Sequence, residues 1–194
     1  MMMINGASSE TGAHSVRNVF RSHGEPVVTN ENTGNGGDAS ALPQEFLTFI
    51  VGREEYAIDI LKVQEIRGYE PPTTIANAPA ILKGVINLRG SIVPIVDMRI
   101  KFQVEKVEYT PFTVVVILSI GGRQAGIVVD SVSEVIMLRA DQIQPPPEFS
   151  TVVDDAYILG IGTLANRMLL VMDIDKLMFS GEMALAKLES LAVA

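Results

Sequence analysis

The second half of this chain repeats its first. Moved on by 69 positions, from Gly52 to Gly121, Ile58 falls on Ile127, Ile60 on Val129, Val63 on Val132, Glu65 on Glu134 and Ile66 on Val135. A later stretch matches at 76 positions, pairing Gly84 with Gly160, Val85 with Ile161, Leu88 with Leu164, Ile92 with Met168, Ile95 with Val171 and Asp97 with Asp173. The parts run A-B-A′-B′. Unrelated β segments share alternation, but not Gly, Glu and Asp at matching points as well. Each unit, about 45–102 and about 114–178, offers four or five short apolar runs bounded by turn residues. Sheets that small hide their edges by curling closed. The repeat therefore predicts an all-β fold, two similar barrels packed side by side with mostly apolar surface between them.

Local signals refine this. Residues 46–51 form a strand candidate, followed by a turn at 52–54, a strand through Ile58, and a short turn that Asp59 caps. Strands at 84–88 and 91–97 meet at Arg89-Gly90, where Gly supplies the positive φ of a two-residue hairpin. The greasiest run, 114–120, falls far short of the roughly 18 apolar residues of a spanning helix and reads as a buried strand. Near the C-terminus the period changes: Ile174, Leu177 and Met178 suggest a short helix. Met183, Leu185, Leu188 and Leu191 suggest a longer amphipathic one over 180–194, parted from it by Ser180-Gly181. Residues 1–43, rich in Gly, Asn, Ser and Thr, read as a flexible leader, with a transient helix or docking motif at 16–21 as the alternative. Pro145-Pro146-Pro147 reads as a stiff connection or, less simply, a polyproline ligand.

Composition removes whole function classes. A net charge of −8 and a pI near 4.8 repel phosphate backbones and anionic lipid, so neither nucleic acid nor membrane insertion is expected. There is no Cys, and both histidines, His14 and His23, sit in the leader. The body thus lacks the commonest general base, the soft metal ligands and the thiol nucleophile. It carries no G-x-x-x-x-G-K-[ST] loop and no G-x-S-x-G elbow. The acid pairs Glu54-Glu55, Asp154-Asp155 and Asp173/Asp175 read as solvated turns, Asp175 favouring a helix start. No catalysis, no cofactor and no metal is expected. No stretch pairs a basic start with an apolar middle and a cleavage site, so a cytosolic home is the expectation.

Arg89 is the sharpest signal. Its counterpart hairpin reads Thr163-Leu164-Ala165-Asn166, so the same turn is built without an arginine there. A five-donor planar group on a rigid tip suits a partner's carboxylate or backbone; an ordinary exposed turn arginine is the plain alternative. Glu65 is matched by another glutamate, Glu134, so it serves either the fold or binding. Strand alternation places Val63 and Glu65 on one face as a mixed apolar and acidic patch.

Residues 55–69 (EYAIDILKVQEIRGY) and 81–99 (ILKGVINLRGSIVPIVDMR) closely resemble the CheW family of bacterial chemotaxis coupling proteins, as do 125–130 (AGIVVD) and 147–149 (PEF). The likeness runs from about Glu45 to Leu185. It implies two five-stranded SH3-like barrels and a cytoplasmic adaptor, recruited to receptor arrays, a monomer when alone. It also implies a ternary complex with the regulatory domain of the histidine kinase CheA and the tips of methyl-accepting chemoreceptors. Receptor binding is carried over to Val63, Glu65, Asn87 and Arg89, and to Val114 and Val132 of the second repeat; the kinase contact is not placed by residue. The leader before Glu45 is longer than the family pattern requires. A structural scaffold without kinase coupling, or a small β-barrel ligand carrier or enzyme, are the alternatives.

Overall fold

The computed structural model describes residues 42–146 and 155–180. The leader before residue 42, the longer C-terminal helix, Pro147, the 147–149 run and Asp154 lie outside them.

Eleven strands are described, β1 (Gln44–Val51), β2 (Glu54–Asp59), β3 (Val63–Gly68), β4 (Leu82–Leu88), β5 (Ser91–Asp97), β6 (Val114–Ile120), β7 (Arg123–Val129), β8 (Ser131–Leu138), β9 (Ile143–Gln144), β10 (Ile158–Leu164) and β11 (Arg167–Met172). Two short helices follow β5 and β11: α1 (Met98–Lys101) and α2 (Ile174–Phe179). The strands form two sheets, ordered β8-β1-β2-β11-β10-β9 and β3-β6-β7-β5-β4. The second closes on itself where Thr73, beyond β3, exchanges two 2.9 Å backbone hydrogen bonds with Val85 on β4. In the first sheet the two-residue β9 fills the same role against β10. The all-β, twin-barrel expectation therefore holds, with β9 as an extra strand in barrel 1.

The barrels are not the repeats, however. Barrel 1 takes β1 and β2 from the first repeat and β8 to β11 from the second; barrel 2 takes β6 and β7 from the second repeat and β3 to β5 from the first. The hairpins β1–β2 and β6–β7 have changed places. Each sits beside strands of the other half: β1 on β8, β2 on β11, β6 on β3 and β7 on β5. Sequence periodicity marks strands but not their neighbours, so the exchange was not foreseeable from it.

The exchange explains the unbroken apolar runs. Along β6, Val115 and Ile117 enter the core of barrel 2 with Leu88, Val93, Ile95 and Val128. Val116, Leu118 and Ile120 face the other way, into a central core shared with Leu47, Phe49, Tyr56 and Ile58 of barrel 1. A strand buried on both faces needs no polar alternation. Barrel 1 has its own core around Phe46, Ala57, Ile136, Leu138, Leu169 and Val171.

The matched residues now have physical reasons. Gly52 and Gly121 turn their hairpins at φ 65° and 55°. A Cβ on Gly84 would lie 2.1 Å from the Thr73 carbonyl oxygen, and one on Gly160 2.5 Å from that of Gln144, so both glycines admit the closing segment. Asp97 and Asp173 cap α1 and α2, accepting from the backbone N–H of Arg99 and Lys176. Asp59 caps its turn through the Leu61 N–H, as expected.

Candidate functional site

Arg89 and Gly90 both have positive φ, 51° and 92°, the combination a two-residue hairpin uses to match strand twist. Asn87 Oδ1 accepts from the Gly90 N–H at 2.8 Å and fixes the turn. Ala165 adopts the same φ of 51°, so the backbone needs no arginine there. The Arg89 side chain is 83% exposed and reaches Glu65, itself 27% exposed, with an Nη2–Oε2 distance of 2.9 Å. Gln64, Leu88, Ser91 and Gln124 complete a shallow concavity of about 330 Å³ around the pair. A guanidinium presents five N–H donors, and one of Arg89's goes to Glu65, so the tip is oriented yet keeps donors for a partner.

Of the six residues singled out in the sequence, the fold brings Glu65, Asn87 and Arg89 together. Val63, Val114 and Val132 pack partly buried against the central core and do not line the concavity. The expectation that Val63 and Glu65 share a face is wrong. Val63 pairs with Leu118 and Glu65 with Ile117, so β3 carries a bulge at Gln64. Leu118 faces the central core and Ile117 the core of barrel 2, which sends the two β3 side chains to opposite sides.

The second repeat builds a parallel arrangement. Its strand β8 has the matching bulge, where the buried Thr48 hydroxyl donates to the Glu134 carbonyl and accepts from the Glu134 N–H. The Glu134 carboxylate pairs with Arg167, whose Nη1 also reaches Glu55 at 3.4 Å. The Glu134 hydrogen bond, and then the Glu55 charge, hold the Arg167 proton more tightly than usual. Arg167 lies one residue beyond the compared turn, at the position the repeat aligns with Ser91, so no arginine is expected there. The two ends differ in commitment: Arg167 serves two carboxylates, Arg89 one. Glu55 is thus an ion-pair partner and not a solvated turn acid. Asp173 is a helix cap, and Asp175 pairs with Lys62 at 2.8 Å.

A third cluster was not foreseen. Arg99 is wholly buried, its Nε and Nη2 on the two oxygens of Asp97 at 2.9 and 2.8 Å, its Nη1 on the Glu108 carbonyl at 2.7 Å and on Asp130 at 3.2 Å. Burial disfavours its cation, but the hydrogen bonds and charges of Asp97 and Asp130 outweigh that and bind its proton more firmly than in water. The other Asp130 oxygen accepts from the Gly52 N–H at 2.7 Å. Asp97 also receives the Tyr109 hydroxyl at 3.0 Å. The cluster ties together α1, the crossover loop to β6 and the β1–β2 turn, and losing its cation would leave the buried Asp97 carboxylate uncompensated.

Among the described residues no group of three or more His, Cys, Asp or Glu is placed to hold a metal, and no helix is long and apolar enough to cross a membrane. The exposed, partly committed Arg89 guanidinium is suited to holding a carboxylate or a backbone carbonyl. Residues 45–182 match the family model described as a CheW-like domain. The chemotaxis protein CheW of Klebsiella aerogenes is 57% identical over 142 residues, covering 73% of this chain and 86% of that protein. The CheW of Rhizobium meliloti is 33% identical over 148 residues, 76% of this chain and 92% of its own. Among solved structures, the scaffolding protein TtCheW from Thermoanaerobacter tengcongensis superposes with a TM-score of 0.63 at 32% identity, covering 68% of this chain and 89% of that one.

Proposed function

This chain belongs to the CheW family of chemotaxis proteins, and from that premise we propose that it couples chemoreceptor tips to the histidine kinase CheA by binding alone, without catalysis. The observation that carries this reading is Arg89, an exposed guanidinium on a hairpin tip whose backbone is fixed and whose donors are only partly used. In this proposal Glu65 and Arg89 are the polar centre of receptor docking, Asn87 holds the turn, and Val63, Val114 and Val132 contribute from the central seam. The partners are a receptor's cytoplasmic tip and the kinase's regulatory domain, and the protein works in the cytoplasm at receptor arrays.

Arg89→Glu tests it. Exchanging this exposed ion pair for two carboxylates is expected to cost no more than about 1 kcal/mol of stability. Reconstituted receptor-dependent kinase activation should nevertheless fall to the level without coupler. Normal activation by the variant removes Arg89 from the reading. A scaffold without kinase coupling is favoured by the solved relative TtCheW, which is described as a scaffolding protein. Co-sedimentation of the chain with receptor membranes but not with kinase would decide for that alternative.

A further inference from the structure

We propose that Tyr109 is a positioning residue for the Glu65–Arg89 site, an inference that rests on that pair being the docking site. β3 is an edge strand, paired along its length only with β6. Its bulge at Gln64 immediately precedes Glu65, so the ladder specifies this carboxylate's place less tightly than in a regular strand. Besides its pairing with β6, β3 is held at both ends. One end is the Asp59-capped turn, tied to α2 by the Lys62–Asp175 ion pair. The other is Tyr69, just past Gly68, whose N–H donates to the Thr113 carbonyl at 3.0 Å and whose ring stacks on Tyr109 with 4.3 Å between centroids.

Tyr109 is itself fixed from the interior. The Arg99 guanidinium lies 4.5 Å from its ring centroid and its hydroxyl donates to the buried Asp97. The ring thus ties a fully paired buried cluster to the end of β3 that leads into the barrel-closing segment at Thr73. Arg89 stands on the opposite edge of the sheet, at the β4–β5 tip. The span between Glu65 and Arg89 across the barrel seam is set by where β3 is held. Removing the ring leaves the Asp97–Arg99 pair intact, so the barrel persists while its edge loosens.

The test uses the full chain and a receptor cytoplasmic fragment. Tyr109→Ala should speed amide exchange of residues 65–68 about tenfold, with slow exchange kept in β6 and β7. It should also shift the Arg89 Nε–H resonance and weaken fragment binding about threefold or more, a loss that disappears on an Arg89→Ala background. Tyr109→Phe, which keeps the ring, should recover most of each effect. Wild-type exchange and an unmoved Arg89 resonance in Tyr109→Ala would overturn the proposal, as would a phenylalanine variant no better than alanine. The receptor arm separates the two claims: if Arg89→Ala binds the fragment normally, the docking reading fails, and the exchange and resonance data still decide Tyr109.

Discussion

The exchange of hairpins makes a quantitative prediction about cutting the chain. A break between Glu105 and Lys106, both exposed in the crossover loop, separates the two repeats. If each repeat were a barrel, residues 1–105 and 106–194 would fold independently. In the observed topology every link between β1 and β8, β2 and β11, β3 and β6, and β5 and β7 runs across the cut. The first fragment keeps two separate hairpins and the lone β3; isolated hairpins are marginal in water. The first fragment alone should therefore be unfolded, whereas the second keeps the hairpin β6–β7 and the three-stranded β9-β10-β11 but neither complete barrel. Mixing should restore the fold. An intact loop supplies a millimolar effective concentration, so fragments at about 10 µM lose a factor on the order of a hundred, roughly 2.8 kcal/mol. Against a typical domain stability of about 5–15 kcal/mol that loss is affordable in all but the weakest case. Circular dichroism of each fragment and of the one-to-one mixture, with melting midpoints that rise with concentration, checks this. A cooperative β melt from the first fragment alone would refute the exchanged topology.

Further outcomes follow from packing and charge. Arg99→Met leaves Asp97 buried without its cation and should cost about 3–5 kcal/mol in denaturant titration. Gly84→Ala combines backbone strain of about 1–3 kcal/mol at φ 142° with a Cβ on the Thr73 carbonyl, breaking the barrel closure. Gly90→Ala at φ 92°, with open space around it, should cost the strain alone, so the difference in their urea midpoints isolates the closure. Burial, and then the Asp97 charge, push the Tyr109 phenol above its ordinary value, and burial does the same to Tyr56. A pKa raised in the folded state stabilises fully below the unfolded value of about 10 and is lost as pH climbs beyond it. Stability should thus fall from about pH 10 upward, more gently in Tyr109→Phe, and a pH-independent midpoint would contradict the burial of Tyr56 and the Tyr109–Asp97 hydrogen bond.

Much of this was legible in the residues. The paired glycines announced duplicated turns, and the Arg89-Gly90 hairpin was placed to the residue. The repeat also held information left unused: Asp97 matches Asp173, which implied α1 as surely as α2. Carrying the turn comparison one residue further, from Gly90/Asn166 to Ser91/Arg167, discloses an arginine at the second tip as well. The bulge at Gln64 was illegible, because an extra residue in one strand shows only against its partner, and strict alternation then assigns Glu65 to the wrong side. Partner choice between hairpins was hidden for the same reason. The Arg99 cluster escaped notice because Asp97 and Arg99, two apart on the sequence, meet Asp130 and Tyr109 only after the crossover loop has folded back.

The shared central core has a mechanical implication. With both faces of β6 and β7 locked into packed interiors, no joint exists at which one barrel swings against the other without tearing a core open. Such a body behaves as a strut. It passes on the orientation of whatever grips one end, and any give must be found at its margins.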